Sequence, residues 1–238
     1  MLYFHQKEML YFPNDKDFFE CKNFEVDEIK EYKNTRFYEV SWQTNDVIIY
    51  FHWNAWSACD RIWLLDILKK TNNNIIFVEY SWYSNINNNP NIKDILSNVD
   101  DIWGYINSSK YENIYVMWRS LWTWPASYYA ENFKTDKLIL VSAYSELYKI
   151  AQSKFPIFPV KLLFTENYKS EDYLKKYNNE ILMIHWKVDD VIPYKFWLEL
   201  YNWLNNNKKR LITKNYWTHH NIFKYEDVVE QIIKFFKN

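Results

Sequence analysis

Short, uninterrupted apolar runs recur along the chain, and longer segments with a helical period separate them. Runs of this length without alternation are typical of strands that are buried on both faces of a parallel sheet. The pattern therefore predicts strands at 47–51, 75–80, 113–117, 137–142, 181–185 and 210–213. Helices are predicted at 59–70, 91–108, 120–133, 194–205 and 224–237. This alternation predicts an α/β protein, a mainly parallel sheet with helices on both faces.

A single domain is expected over 1–238, because no linker-like stretch divides the chain. The segment 143–180 is longer than a crossover between strands requires, and Pro156 and Pro159 interrupt it. We predict that this segment forms a small cap over one end of the sheet. Ligands of open parallel sheets bind beyond the carboxyl ends of the strands, so the chemistry is expected there.

The composition is unusual in its smallest and its largest residue types. The chain has 238 residues, with 13 tryptophans and one glycine, Gly104. Ordinary usage of roughly 7% would give about 17 glycines, and tight turns need them because glycine adopts positive φ angles without a steric penalty. We therefore predict that many tryptophans stand where the gene specifies glycine, as happens when a reassigned UGA codon is read as tryptophan.

Charge, hydropathy and cysteine spacing exclude several classes of protein. The 29 basic and 30 acidic residues give a net charge of −1 without a basic cluster, so no nucleic-acid partner is expected. No apolar stretch approaches the ~20 residues that span a bilayer, and the first residues lack the apolar core of a secretory signal, so a cytoplasmic location is expected. Cys21 and Cys59 have no metal-ligand spacing, and both are expected to be reduced.

One candidate catalytic motif follows the predicted strand at 113–117. Residues 118–122 read WRSLW, and with glycine at Trp118 and Trp122 they become GRSLG. This is the GxSxG pattern of a nucleophile turn between a strand and a helix. Residues two before and two after the serine lie where strand and helix nearly touch, so the turn requires small side chains there. The motif predicts Ser120 as a nucleophile.

Three further clusters change in the same way when tryptophan is replaced by glycine. Residues 52–60 (HWNAWSACD) then begin with a His-Gly turn after an early strand, where α/β-hydrolases place the loop that donates to the oxyanion hole. Residues 184–194 (IHWKVDDVIPY) carry a candidate acid, and residues 215–223 (NYWTHHNIF) carry a candidate base. The order along the chain is therefore serine, acid and histidine, as in that fold.

With glycine restored, the chain resembles the α/β-hydrolase superfamily over nearly its whole length. Within it, the chain is most similar to the serine-aminopeptidase-like (Bem46-like) hydrolases, which are related to a group of depalmitoylases. The segment EMLYFP at 8–13 is similar to the opening strand of this family. The resemblance implies glycine at eight tryptophans: Trp53, Trp56, Trp82, Trp118, Trp122, Trp124, Trp186 and Trp217.

The resemblance also implies a role for each site residue. Ser120 would attack the substrate, His220 would act as the general base, and Asp189 would orient the imidazole. The backbone N–H groups of Leu121 and Asn54 would form the oxyanion hole. No cofactor and no metal are implied.

Two neighbouring residues remain as alternatives in this assignment. Asp190 follows the predicted acid, and we expect it to be a solvated neighbour. His219 occupies a position where the family has glycine; it is a candidate substitute for His220, although we expect it to point away from the serine. Arg119, inside the serine motif, is expected to have a packing or solvent role.

The implied activity is hydrolysis of a small acyl ester or thioester. An aminopeptidase is less favoured, because the sequence has no visible carboxylate pair that would anchor a substrate amine. Two other hypotheses remain if the tryptophans are genuine: a catalytically inactive hydrolase-fold scaffold, and an aromatic-rich binding protein whose indoles stack on a ligand. The oligomeric state is not predicted.

Overall fold

The computed structural model describes residues 6–14, 16–25, 28–84, 90–165, 168–215, 219 and 222–237. Its centre is an eight-stranded sheet in the order β1-β2-β4-β3-β5-β6-β7-β8. Strands β3 to β8 run parallel, whereas β2 is antiparallel to both β1 and β4. The strands are β1 Ile29–Tyr32, β2 Thr35–Val40, β3 Asp46–Phe51, β4 Asn74–Glu79, β5 Asn113–Arg119, β6 Lys137–Val141, β7 Glu180–Trp186 and β8 Lys209–Lys214.

Helices cover both faces of this sheet, as the sequence predicts. Helices α3, α4 and α8 pack on one face, and α2 and α9 pack on the other. The strand residues between them are almost all buried, which explains the continuous apolar runs in the sequence. The helices are α1 Gln6–Leu10, α2 Ile62–Leu68, α3 Ile92–Ser108, α4 Thr123–Asn132, α5 Leu147–Lys154, α6 Val160–Leu163, α7 Ser170–Leu174, α8 Tyr194–Trp203 and α9 Glu226–Lys237.

The predicted α/β architecture is confirmed, and all six predicted strands are present within a few residues of their expected ends. The sequence pattern missed the hairpin of β1 and β2 at one edge of the sheet. Strand β1 reads IKEY and is only half-buried, so its polar residues concealed it. Gly104 lies in α3 beside this hairpin, where an added Cβ atom would lie 3.0 Å from the ring of Tyr32.

Two expectations for the N-terminal region are wrong. Residues 8–13, which resemble an opening strand, do not form one: α1 covers Gln6–Leu10, and the chain continues without regular structure. Cys21 and Cys59 are also not reduced. They form a disulfide with Cα atoms 5.8 Å apart, joining the N-terminal segment to the turn before α2. The two cysteines are 38 residues apart, and only the fold brings them together.

The segment between β6 and β7 contains the three short helices α5, α6 and α7. Residues of α5 and α6 stand beside the N-terminal helix α1, since the Gln6 Nε2 donates a hydrogen bond to the carbonyl of Leu163 at 2.7 Å. Within the described residues, no helix has both the length and the apolar character needed to cross a bilayer.

Candidate active site

Ser120 occupies the sharp turn that connects β5 to α4. Its φ is 63°, a left-handed conformation that residues other than glycine seldom adopt. A single 3-10 turn, Ser120–Trp122, follows before α4 begins. Such a strained turn is one of the features by which active sites are recognised in folded proteins. The side chain of Ser120 is almost completely buried, at the wall of an internal cavity.

His219 bridges Ser120 and Asp189. The Nε2 of His219 lies 2.7 Å from the Oγ of Ser120, and its Nδ1 lies 2.8 Å from the Oδ2 of Asp189. The expectation that His219 points away from the serine is therefore wrong. His220, the base implied by the resemblance, lies outside the described residues. The loop after β8 carries the first of the two histidines to the serine, one residue earlier than the family pattern indicates.

Asp189 is held by several hydrogen bonds in the loop after β7. Its Oδ1 accepts the N–H groups of Val191 at 2.9 Å and Ile192 at 2.8 Å, and its Oδ2 accepts the hydroxyl of Ser142 at 3.0 Å. Burial is the largest single effect and favours the protonated carboxyl, but the hydrogen bond and charge of His219, the N–H of Ile192 and the nearby His185 together outweigh it, so the pKa of Asp189 is lowered. Asp190 is exposed, whereas the carboxylate that contacts the His219 imidazole is that of the buried Asp189.

The loop after β3 approaches the same cavity from the other side. Asn54 and Ala55 line the cavity together with Ser120 and His219. The Asn54 Oδ1 accepts hydrogen bonds from the N–H of Phe12 at 3.2 Å and from the hydroxyl of Tyr83 at 2.9 Å, which anchors the loop. Leu121 follows Ser120 in the 3-10 turn. The use of the Asn54 and Leu121 N–H groups as oxyanion donors stays a prediction.

A buried pair of ionisable side chains lies beneath this loop. His52 Nε2 is 3.2 Å from Glu79 Oε1, and both side chains are fully buried. The other carboxylate oxygen of Glu79 accepts the N–H of Ala58 at 2.9 Å. The pair therefore connects the start of the loop to its end. This agrees with a structural role for His52.

Two buried arginines hold the carbonyls of the active-site loops: Arg119, for which the sequence predicts only a packing or solvent role, and Arg61, which the sequence analysis missed. The Arg119 Nη2 donates to the carbonyl of His219, and the Arg61 Nη2 donates to the carbonyl of Ala55 at 2.5 Å. Both guanidinium groups lie against the indole of Trp53, with ring-centre distances of 4.2 and 3.7 Å. Burial, together with the nearby Arg61 cation, lowers the pKa of Arg119 to about 10. The available sequence signal for Arg119 was a charged residue at the end of an otherwise buried strand.

The cavity beside Ser120 has a volume of about 430 Å³ and mostly apolar walls. Its walls come from the N-terminal segment, the loops after β3 and β7, and the segment of α5 and α6. Representative apolar lining residues are Leu10, Ile150, Phe155, Leu163 and Ile192. No group of three or more His, Cys, Asp or Glu side chains in the described part of the chain is placed to hold a metal ion.

Several tryptophans at the predicted glycine positions have geometry that does not suit an indole. Trp56 and Trp82 have φ angles of 66° and 70°, where bulky residues are genuine outliers. Trp118 is fully buried with its ring centre 3.7 Å from that of Phe51. The indole N–H groups of three more such residues are buried without a partner among the described atoms: Trp122, Trp124 and Trp186. Trp217 lies outside the described residues.

Comparison with known proteins identifies the fold. No family model matches the sequence, and no curated protein matches it. An esterase of Pyrococcus furiosus superposes with a TM-score of 0.74 at 15% identity, over 95% of this chain and 98% of that one. A monoacylglycerol lipase of Paleococcus ferrophilus gives 0.66 at 13%, over 86% and 99%. Est1E of Butyrivibrio proteoclasticus gives 0.65 at 15%, over 88% and 96%. The chain therefore has the α/β-hydrolase fold.

His185 is fully buried next to the active site, and we expect it to make the stability of the protein depend on pH. Its Nε2 donates to the carbonyl of Ile192 at 3.0 Å, and burial lowers its pKa to about 4 despite the nearby Asp189. The pKa of an unfolded histidine is about 6.5, so between pH 4 and pH 6.5 this residue binds more protons in the unfolded chain than in the folded one. We expect the free energy of unfolding to fall by about 3 kcal/mol as the pH drops from 6.5 to 4 through this group.

Denaturant unfolding across this pH range measures the effect. The variant His185→Gln keeps a donor for the Ile192 carbonyl but does not titrate. Its unfolding free energy should therefore change less with pH than that of the parent protein. An equal slope for the two proteins would show that His185 does not carry the effect.

Proposed function

We propose that this chain is a serine hydrolase that cleaves a carboxylic ester or thioester through an acyl-enzyme on Ser120. The observation that carries the proposal is the continuous set of hydrogen bonds from Ser120 through His219 to Asp189, at the wall of an apolar cavity. A serine, a base at hydrogen-bond distance and an orienting carboxylate are the parts that nucleophilic acyl transfer needs.

Each residue of this set has a defined step. The Oγ of Ser120 attacks the carbonyl carbon while Nε2 of His219 takes the hydroxyl proton, and His219 then gives that proton to the leaving alcohol or thiol. Water then attacks the acyl-enzyme and gives a proton to His219, which passes it to the departing Oγ of Ser120, so that the carboxylic acid is released and the free serine is restored. Asp189 keeps the imidazole in the tautomer with its proton on Nδ1. The low pKa of Asp189 supports this role, because the carboxylate stays ionised.

As Ser120 attacks, negative charge develops on the carbonyl oxygen of the substrate, and hydrogen-bond donors are needed to stabilise it. We propose the backbone N–H groups of Leu121 and Asn54 for this purpose, since they lie in the turn after the nucleophile and in the facing loop. Loss of one such donor costs roughly 10²-fold or more in rate. Arg61 and Arg119 support the same geometry, because each holds a carbonyl of an active-site loop.

The cavity favours an apolar acyl group over a peptide amine. Its walls are mostly aliphatic and aromatic, and the segment 143–180, which we propose as a cap, supplies much of them through α5 and α6. The names of the similar structures, esterases and a monoacylglycerol lipase, agree with an ester substrate. The similarity to Bem46-like hydrolases remains part of this proposal.

We further propose that the functional protein has glycine at most of the eight positions named above. Positive φ angles at Trp56 and Trp82 and unpartnered indoles at Trp122 and Trp186 support this. A buried donor without a partner costs about 1–3 kcal/mol. The codons at the 13 tryptophan positions test it directly, and UGA at most of them would support the proposal.

The alternative of an aromatic-rich binding protein has little support. Five indoles are fully buried and cannot stack on an external ligand: Trp118, Trp122, Trp124, Trp186 and Trp197. An inactive scaffold is the remaining alternative for a molecule that keeps tryptophan on both sides of Ser120, but the hydrogen bonds from Ser120 through His219 to Asp189 form with both indoles present and do not favour it.

The two adjacent histidines provide the first test of the proposed mechanism. With glycine at the eight positions, His219→Ala should lower the turnover of a p-nitrophenyl ester by orders of magnitude, because it removes the base 2.7 Å from Ser120. The matched variant His220→Ala should retain most of the turnover. Steady-state kinetics of both proteins give the answer, and a large loss with His220→Ala alone would reverse the assignment.

The second test compares two exposed tryptophans in different backbone conformations. Trp56 is 58% exposed at a φ of 66°, whereas Trp63 is 38% exposed within helix α2. Trp56→Gly should leave the unfolding free energy equal or higher, because it relieves a strained residue. Trp63→Gly should lower it by about 1 kcal/mol or more, because glycine weakens helices.

Denaturant midpoints of the two variants and of the parent chain make this comparison. If Trp56→Gly destabilised the protein as much as Trp63→Gly, the backbone at 56 would have no preference for glycine. The recoding proposal would then lose its conformational support.

A further inference from the structure

The most exposed large apolar side chains of the described surface are close together. Ile157 is 91% exposed and Leu162 is 85% exposed, and both lie in the segment from the end of α5 to α6. Phe158 between them is also exposed, as are Met9 and Phe12 of the N-terminal segment. Contiguous exposed apolar side chains mark binding surfaces, because a free surface rarely retains them.

This surface is continuous with the substrate cavity. Met9, Phe12, Phe158 and Val191 are exposed and also line the cavity, so they stand at its mouth. We define the rim patch as Met9, Phe12, Ile157, Phe158, Leu162 and Val191.

Hydrogen bonds hold the segments of the rim patch together. The Gln6 side chain joins α1 to the carbonyl of Leu163, next to Leu162. On the other side, the Lys154 Nζ donates to the carbonyl of Asp190 at 2.8 Å, which joins α5 to the loop of Val191. The three segments therefore present their apolar side chains around one opening.

We propose that the rim patch docks onto a lipid surface, a bilayer or a micelle, from which an ester with an apolar acyl chain enters the cavity. This rests on the proposed function and specifies how its substrate is delivered. A protein partner or a second copy seated on the patch would close the mouth through which substrate reaches Ser120. A lipid surface instead buries the exposed side chains and supplies the acyl chain along an apolar path.

The charges beside the patch indicate which lipids suffice. Lys7, Lys154 and Lys161 are exposed near it, and Glu8 and Asp190 are exposed near it as well. Opposite charges in similar number give little net attraction to an anionic surface. Docking should therefore depend on apolar insertion, proceed on zwitterionic lipid and change little with salt.

Vesicle flotation of the full chain, with glycine at the eight positions as in the other activity tests, tests the proposal, and this chain is the parent for the variants. The double variant Ile157→Ser with Leu162→Ser should bind phosphatidylcholine vesicles at least tenfold more weakly than the parent. Leu211→Ser is the matched control, because Leu211 is 40% exposed on β8 and does not line the cavity. It should bind like the parent. Ile157 and Leu162 do not line the cavity either, so turnover of a water-soluble short ester should be unchanged in both variants.

Three results would overturn the docking proposal. These are no vesicle binding by the parent chain, equal binding by the double variant, or binding only to vesicles that contain anionic phosphatidylglycerol. A patch that serves self-association would instead shift the oligomeric state in size-exclusion chromatography without any vesicle binding. Ser120→Ala should bind vesicles like the parent but lose ester turnover. Vesicle binding by both proteins together with undiminished ester turnover by Ser120→Ala would contradict the proposed function alone.

Discussion

The left-handed turn at Ser120 is the constraint on which the rest of the site depends. The chain leaves β5 at Arg119 and turns at Ser120, which has a φ of 63°, into the 3-10 turn that precedes α4. At this point His219 reaches the serine hydroxyl, and Asp189 in turn reaches the other nitrogen of the His219 imidazole. Trp118 and Trp122, two positions before and after the serine, are fully buried beside this turn, and the indole N–H of Trp122 has no partner among the described atoms. These observations support the proposal that small residues belong at both positions.

The parallel part of the fold was predictable because its strands are buried on both faces. Runs such as 47–51 and 181–185 are apolar without alternation, and only a covered sheet accommodates them. The edge hairpin was not predictable in this way, since β1 is half-exposed and mixes polar with apolar residues. Cys21 and Cys59 are 38 residues apart, and only the tertiary structure brings them together. Their local sequence spacing therefore could not predict the disulfide.

Some active-site residues were likewise predictable from the local sequence, whereas others depend on tertiary contacts. A serine between a strand and a helix is a local signal, and so is an acid a few residues after β7. The contact between a histidine and the serine depends on tertiary structure: the family pattern indicates His220, whereas the Nε2 of His219 lies at the Oγ of Ser120. The arginines that hold the loop carbonyls act through contacts between distant segments, as in the pair formed by Arg119 and His219. No motif predicts such contacts.

The most direct measurement of the central claim is the site of covalent labelling by a fluorophosphonate probe on the chain with glycine at the eight positions. The account predicts a single adduct, located on Ser120 by peptide mass spectrometry and absent from the Ser120→Ala variant. An adduct on any other residue, or undiminished labelling of Ser120→Ala, would contradict the assignment of Ser120 as the nucleophile.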